Sequence, residues 1–215
     1  MAYTSTVPTL DHVLPFWFGE PAADPETLGS KLRRWYAGGQ ALDAEIRERF
    51  SALLDRAVAG EIEVPASARD RLALIVVLDQ FPRSVCRDTP QAYAGDARAQ
   101  ALARELFDAG EDAGFSLEER LFLIMPLVHA EDLALQERGV AEMERLVATA
   151  PAALRPLFGM GIEQSRKYRD VIARFGRFPH RNAILGREST AEELAVLRDW
   201  AERAPPSEFK ARTGA

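Results

Sequence analysis

The chain has 215 residues, a length that suits one large domain. Its formal net charge of −6 argues against nucleic acid or anionic membranes as partners, since both attract basic surfaces. Cys86 is the only cysteine, so an intrachain disulfide and a cysteine-rich metal site are excluded. No apolar run approaches the roughly 20 residues of a membrane span, and the N-terminus lacks a secretory signal, so we expect a cytoplasmic protein.

Apolar residues recur every three to four positions along nearly the whole chain, which predicts an all-α fold. Thr9 can cap a short first helix through Phe18, and an amphipathic helix follows over residues 40–59. Residues 72–81 are apolar on almost every side. This pattern predicts a buried helix, which Pro82 should end.

The second half of the chain carries clear helix-capping signals. Thr89 and Pro90 offer a cap and a first-turn proline for a helix to about Asp108. Ser116-x-x-Glu119 is a capping box for the next helix, which Pro126 should kink or break. Three further helices are expected: over residues 130–148, over residues 157–176, and after a cap at Ser189 or Thr190.

A short internal repeat bears on the architecture. Gln80-Phe-Pro-Arg83 and Arg177-Phe-Pro-His180 each follow an apolar helix, which favours stacked antiparallel helix pairs. We expect about eight or nine helices in a single domain over residues 1–204. A polar, disordered tail is expected over residues 205–215.

Asp79 interrupts the apolar pattern of the helix predicted over residues 72–81. It lies three residues after Val76, so the two share a helix face. A buried carboxylate needs a cationic or hydrogen-bonding partner, or its pKa rises. Arg83, four residues later, is the nearest candidate partner. The alternative is that Asp79 supports a loop backbone.

His129 begins a second polar cluster, at the start of the helix predicted over residues 130–148. Gln136 lies on the same apolar stripe, Asp132 lies beside it, and Glu131 falls in the expected first turn. A carboxylate next to His129 would set its charge and tautomer, as a general base requires. The alternative is a hydrogen-bonded core histidine with ordinary first-turn acids.

The most basic segment of the chain spans residues 174–187, called here the arginine segment. It contains His180 and Asn182, no acid, and four arginines: Arg174, Arg177, Arg181 and Arg187. In an acidic protein such a cluster predicts an anion nearby, either an internal acid or a ligand. Arginine forks and the Asn182 amide suit a carboxylate or a phosphate.

Seven short motifs carry a family resemblance: Val13–Glu20, Arg34–Tyr36, Leu72–Leu74, Leu78–Arg83, His129–Leu133 with Gln136, Phe175–Asn182, and Gly186–Arg187. Together they resemble the bacterial family catalogued as domain of unknown function 924, over roughly residues 10–200. The resemblance implies an all-helical fold similar to tetratricopeptide-like α–α superhelices, and no established activity. Ser84, Val85 and Cys86 depart from the family pattern, which expects an asparagine and bulkier residues there.

A small-molecule site inside the helical bundle is the first function hypothesis, with an anionic ligand that is bound or converted. His129, Asp132 and His180 are the candidate catalytic residues. The predicted ligand contacts are Arg177, Arg181, Asn182, Arg187, Asp79, Gln80, Arg83, Glu131, Gln136 and Trp35. The spacing of the histidines and acids matches no helical metal-ligand pair, so no metal or cofactor is expected.

The second hypothesis is a protein-interaction scaffold of the tetratricopeptide-like kind, with a protein partner. The third hypothesis is that the polar motifs form a buried structural network that fixes the helix packing, with the function elsewhere on the protein. The residues leave binding and catalysis open as alternatives, and they do not set the oligomeric state.

Overall fold

A computed structural model describes residues 9–203 of the chain. Within that range the protein forms nine α-helices and no strand, so the all-α prediction is confirmed. The helices are α1 Val13–Phe18, α2 Pro25–Ala37, α3 Gly39–Val58, α4 Ala68–Val85, α5 Asp96–Asp108, α6 Leu117–Val128, α7 Leu133–Thr149, α8 Arg155–Phe175 and α9 Ala191–Arg203. The tail predicted over residues 205–215 lies outside the described residues.

Helix α2 is absent from the sequence-based prediction, although its start carries an ordinary signal. The side chain of Asp24 accepts a hydrogen bond from the backbone N–H of Thr27, and Pro25 occupies the first turn. Leu28 is the one residue of this helix that is buried. Leu32 and Trp35 follow at helical spacing and pack partly buried against the core, so the segment also carried a periodic signal.

Two prolines lie inside helices, so the prediction that Pro82 ends its helix is wrong. Helix α4 continues through Pro82 to Val85, and α6 continues unbroken through Pro126 to Val128. Each proline removes a single N–H in the last turns of its helix, and burial in the core outweighs that loss.

The backbone of Gly95 packs against the turn of α4 that contains the proline. Pro82 cannot donate to the carbonyl oxygen of Leu78, as the residue at that position normally would. A Cβ atom on Gly95 would lie 2.2 Å from this oxygen, a distance no real side chain could adopt. Gly95 therefore allows the start of α5 to approach the end of α4 closely.

Two helix starts differ in detail from the prediction. Thr89 and Pro90 begin a 3₁₀ turn, and α5 itself starts at Asp96. Helix α7 starts at Leu133 instead of Ala130, because Asp132 is its N-cap and accepts from the N–H of Leu135. The residues Ala130 to Asp132 therefore belong to a loop.

Capping boxes form at the starts of α6 and α9. The box predicted at Ser116 and Glu119 is confirmed at the start of α6. Of the two caps considered for α9, Thr190 is the one used: its Oγ1 accepts from the N–H of Glu193, whose carboxylate accepts from the N–H of Thr190.

Consecutive helices pack against each other from α3 through α8. Helix α4 lies at the centre, and its residues from Leu72 to Leu78 are at most 1% exposed, which confirms the predicted buried helix. Helix α4 also contacts α1 and α6. None of the helices in residues 9–203 is long and apolar enough to cross a membrane. The likeness to a tetratricopeptide superhelix stays a prediction.

Candidate functional site

A carboxylate–imidazole pair forms where α4 and α6 meet. Asp79 on α4 is completely buried, and His129 directly follows α6. Atom Nδ1 of His129 lies 2.9 Å from Oδ1 and 3.0 Å from Oδ2 of Asp79. The Gln80 amide donates to Oδ2 at 2.5 Å. The carboxylate that sets the tautomer of His129 is therefore Asp79, and Asp132 instead caps α7.

Two arginines balance the buried acids around this pair. Arg83 lies 3.2 Å from Oδ1 of Asp79 and binds Asp96 with both terminal nitrogens, at 2.8 and 2.9 Å. Arg181 lies 3.5 Å from Asp96 and donates to the carbonyl oxygen of His129 at 3.0 Å. These five residues are called here the polar centre. With a neutral histidine, its two acids and two arginines carry no net charge.

Burial and charge together set the protonation of the pair. Burial raises the pKa of Asp79, but Arg83 and His129 outweigh burial and lower that pKa below its ordinary value. Burial lowers the pKa of His129, and Arg83 lowers it further against the opposing effect of Asp79. His129 is therefore neutral at pH 7. We assign its proton to Nδ1, which donates to Asp79 and leaves Nε2 as an acceptor.

His129 also lines a largely apolar cavity of about 290 Å³ between α2, α6, α7 and α8. Three of the four methionines in the sequence, Met125, Met143 and Met160, lie around it. We call it the methionine cavity. Its few polar wall residues include Gln164 and Ser165. An apolar pocket with a small number of polar groups is the usual form of a small-molecule site.

A more open cleft of about 430 Å³ lies beside the same histidine, and we call it the polar cleft. It is lined by Tyr93, Asp96, Asp132 and Arg181 as well as His129. The guanidinium of Arg181 lies 4.7 Å from the ring centre of Tyr93, and its Nε has no hydrogen-bond partner within the part of the chain that the structure describes. His129 therefore contacts an apolar space and a polar one.

The remaining arginines of the arginine segment bind acids of the protein. Gly176 adopts a φ of +67° and ends α8, so Arg174 and Arg177 do not share a helix face. Each guanidinium makes two hydrogen bonds to one carboxylate, at 2.5 to 2.9 Å. The pairs are Arg174 with Glu192, Arg177 with Glu193, and Arg187 with Glu131.

Two predicted ligand contacts, Asn182 and Gln136, are completely buried and hold the backbone or side chains of neighbouring segments. The amide of Asn182 donates to Ser189 and accepts from Arg187, both at 3.0 Å. The amide of Gln136 donates to the carbonyl oxygens of Val128 and Ala130, and so fixes the turn between α6 and α7. Both side chains therefore have structural partners.

Two other predicted residues lie apart from the cavities. The indole of Trp35 donates to the carbonyl of Trp17 at 3.0 Å, and its ring centre lies 4.7 Å from that of Phe122. The ring of His180 packs against Phe178 at 5.4 Å. Among the described residues, the linings of the methionine cavity and of the polar cleft include neither Trp35 nor His180.

Sequence reasoning missed Asp96, Tyr93 and the methionine wall. Asp96 looks like an ordinary first-turn acid of α5, yet it is 8% exposed and binds Arg83. The methionines look like any core residues at helical spacing. One signal was available. Asp79 has only one basic residue nearby in the sequence, Arg83, so any second basic partner had to come from a distant segment.

Comparisons with known proteins identify a family for the chain. The chain matches the family model for a bacterial protein of unknown function (DUF924) over residues 13–200. A solved structure, a protein of unknown function (ATU0120) from Agrobacterium tumefaciens, is 33% identical with a TM-score of 0.70, and the match covers 88% of this chain and 97% of that one. No curated protein matches the chain. The chain therefore belongs to the DUF924 family of bacterial proteins of unknown function.

Proposed function

We propose that this protein binds a small molecule in the methionine cavity, with neutral His129 accepting a hydrogen bond or a proton from it. One observation carries the proposal: the buried carboxylate of Asp79 lies 2.9 Å from Nδ1 of a histidine that also lines the cavity. Because Nδ1 holds the proton, the lone pair of Nε2 is available to a ligand.

The same pair is suited to proton transfer. If a ligand gives a proton to Nε2, the positive imidazolium that results is stabilised by the carboxylate at Nδ1. Asp79 keeps its negative charge because Arg83 and His129 lower its pKa. Binding and general-base catalysis therefore place the same requirement on the ligand, which is a donating group such as a hydroxyl.

The arginine segment lies next to the proposed site, and we propose that most of its arginines do not contact the ligand. Arg177 and Arg187 each bind one carboxylate with two nitrogens, which leaves little positive charge for an anion. The proposed ligand is therefore neutral at the atom that meets His129. For the arginine segment itself we favour a structural role. A cytoplasmic location remains a prediction from the sequence.

A thermal-shift screen of small uncharged hydroxyl compounds tests the proposal. A genuine ligand at 100 times its Kd adds about 2.7 kcal/mol to the free energy of unfolding. It should raise the Tm of the wild type and have little effect on His129→Gln. His180→Gln is the matched control, because His180 lines neither cavity among the described residues. Ligands that bind His129→Gln as tightly as the wild type would refute the role of His129.

A further inference from the structure

The wall of the methionine cavity is unusual in its side-chain chemistry. Met125, Met143 and Met160 come from three different helices and line one space. Methionine is unbranched and polarizable, so a wall of methionines adapts to groups of different shape. The rest of the apolar lining includes Leu32, Leu121, Leu157 and Phe158, whose shapes are more rigid. The chain thus concentrates its most adaptable apolar side chains beside His129.

Gly161 on α8 keeps this wall open. A Cβ atom at Gly161 would lie 3.0 Å from Sδ and 3.2 Å from Cε of Met143, so a larger residue would push Met143 and take up space in the cavity. Two positions earlier on the same helix, a Cβ atom at Gly159 would meet nothing within 4 Å. A glycine inside a helix is unfavourable, and at Gly161 it makes room for the cavity.

The volume limits what can enter. An apolar cavity of about 150 Å³ holds a benzene molecule. The methionine cavity, at about 290 Å³, therefore has room for roughly ten carbon atoms. A folded peptide segment is too large for this space. Tyr36 and Met160 are 58% and 61% exposed, so the apolar lining reaches the protein surface and gives a ligand a way in.

We infer that the methionine cavity takes a flexible apolar group, an aliphatic chain or small aryl group of about ten carbons, whose attached donating head group reaches His129. This inference rests on the proposed function and names its ligand class. The ligand is amphipathic: the apolar group packs against the methionines, and a hydroxyl or similar donor meets Nε2. The dependence of affinity on chain length tests the contact with the methionine cavity, and its dependence on the head group tests the contact with His129.

A series of primary alcohols tests the inference by NMR. The protein carries ¹³C-labelled methionine methyl groups, assigned by single Met→Leu variants, and is titrated with 1-butanol, 1-hexanol, 1-octanol and 1-decanol. The methyl signals of Met125, Met143 and Met160 should shift and saturate. Affinity should rise by up to about fourfold per added methylene and level off near ten carbons. Affinity that does not depend on chain length would overturn the inference.

Matched glycine variants separate the cavity from general effects on α8. Gly161→Ala should weaken 1-octanol binding by about fivefold or more and move the best chain to a shorter one, because the added methyl group and Met143 occupy the space. Gly159→Ala has the same change in helix propensity and should bind like the wild type. Equal effects of the two variants, with both folded by circular dichroism, would overturn the inference.

Replacing the hydroxyl head group by a methyl ether distinguishes failure of the inference from failure of the proposed function. Methyl ethers of the same length lack the donor, so they should bind the wild type more weakly than the alcohols do. In His129→Gln, ethers and alcohols should bind with equal affinity. If ethers and alcohols bind the wild type equally but still follow chain length, the methionine wall holds and the role of His129 fails. If the methyl signals move with protein concentration alone, a second copy of the chain occupies the cavity and the inference fails.

Discussion

At the scale of single residues, Asp79 stays ionised inside the core because donors surround it. Nδ1 of His129 lies at 2.9 Å, Arg83 at 3.2 Å and the Gln80 amide at 2.5 Å. Removing a carboxylate from water is costly, and only such contacts offset that cost. The arrangement also has a consequence for His129, because Arg83 and burial oppose a positive imidazole.

The lowered pKa of His129 predicts how stability depends on pH. A histidine in the unfolded chain titrates near its ordinary pKa of about 6.5. Because the folded protein resists protonating His129, the unfolded state gains that proton first as the pH falls. The contribution of His129 to stability is therefore fully present above about pH 6.5 and is lost as the pH falls below it.

Urea unfolding at pH 8, 7, 6 and 5 measures this effect. The wild type should lose more free energy of unfolding between pH 7 and pH 5 than His129→Gln, whose side chain does not titrate. If the wild type instead gains stability relative to His129→Gln on acidification, the pKa of His129 is raised in the fold and the assignment of a neutral ring is wrong.

At the scale of elements, the arginine segment connects α8 to α9 and packs against the loop before α7. Glu131 accepts from the backbone N–H of Phe178 at 2.8 Å and from both terminal nitrogens of Arg187. Burial raises the pKa of Glu131, but Arg187 and the Phe178 amide outweigh it and lower that pKa. These contacts keep the loop that follows His129 in place.

Substitutions of two arginines in this segment separate a supporting role from a surface role. Arg187→Ala should lower the free energy of unfolding by about 2–3 kcal/mol, because Glu131 keeps only the Phe178 N–H as a donor and the side-chain oxygen of buried Asn182 loses the Arg187 donor. Arg174→Ala is the control: its pair with Glu192 is exposed, so the change should stay within about 0.5 kcal/mol. Denaturant unfolding measures both, and equal values would argue against the supporting role.

At the scale of the whole molecule, local signals predicted much of the fold. The apolar run from Leu72 and the capping box at Ser116 are encoded within a few residues, so α4 and α6 could be found from sequence. Helix α2 was missed although its Asp24 cap and its apolar residues Leu28, Leu32 and Trp35 are local signals too. Pro82 was wrongly expected to end its helix. The close packing of Gly95 against the turn that contains Pro82 is not visible in the local sequence.

The candidate site could be predicted only in part, since its contacts are long-range. The polar positions at Asp79 and His129 were both recognised as anomalies, but 50 residues separate them in the chain, and nothing local indicated that they pair. The methionine cavity gave no signal at all. Its wall consists of residues that would serve equally well in a closed core, and only the packing of four helices leaves the space open.

The central claim is that His129 is a neutral acceptor held by Asp79, and ¹⁵N NMR of the imidazole at pH 7 tests it most directly. We predict a neutral ring with the proton on Nδ1 and an unprotonated Nε2. In Asp79→Asn this preference should be lost, since the carboxylate that accepts from Nδ1 is gone. A proton on Nε2 in the wild type, or a positively charged ring at pH 7, would contradict the account.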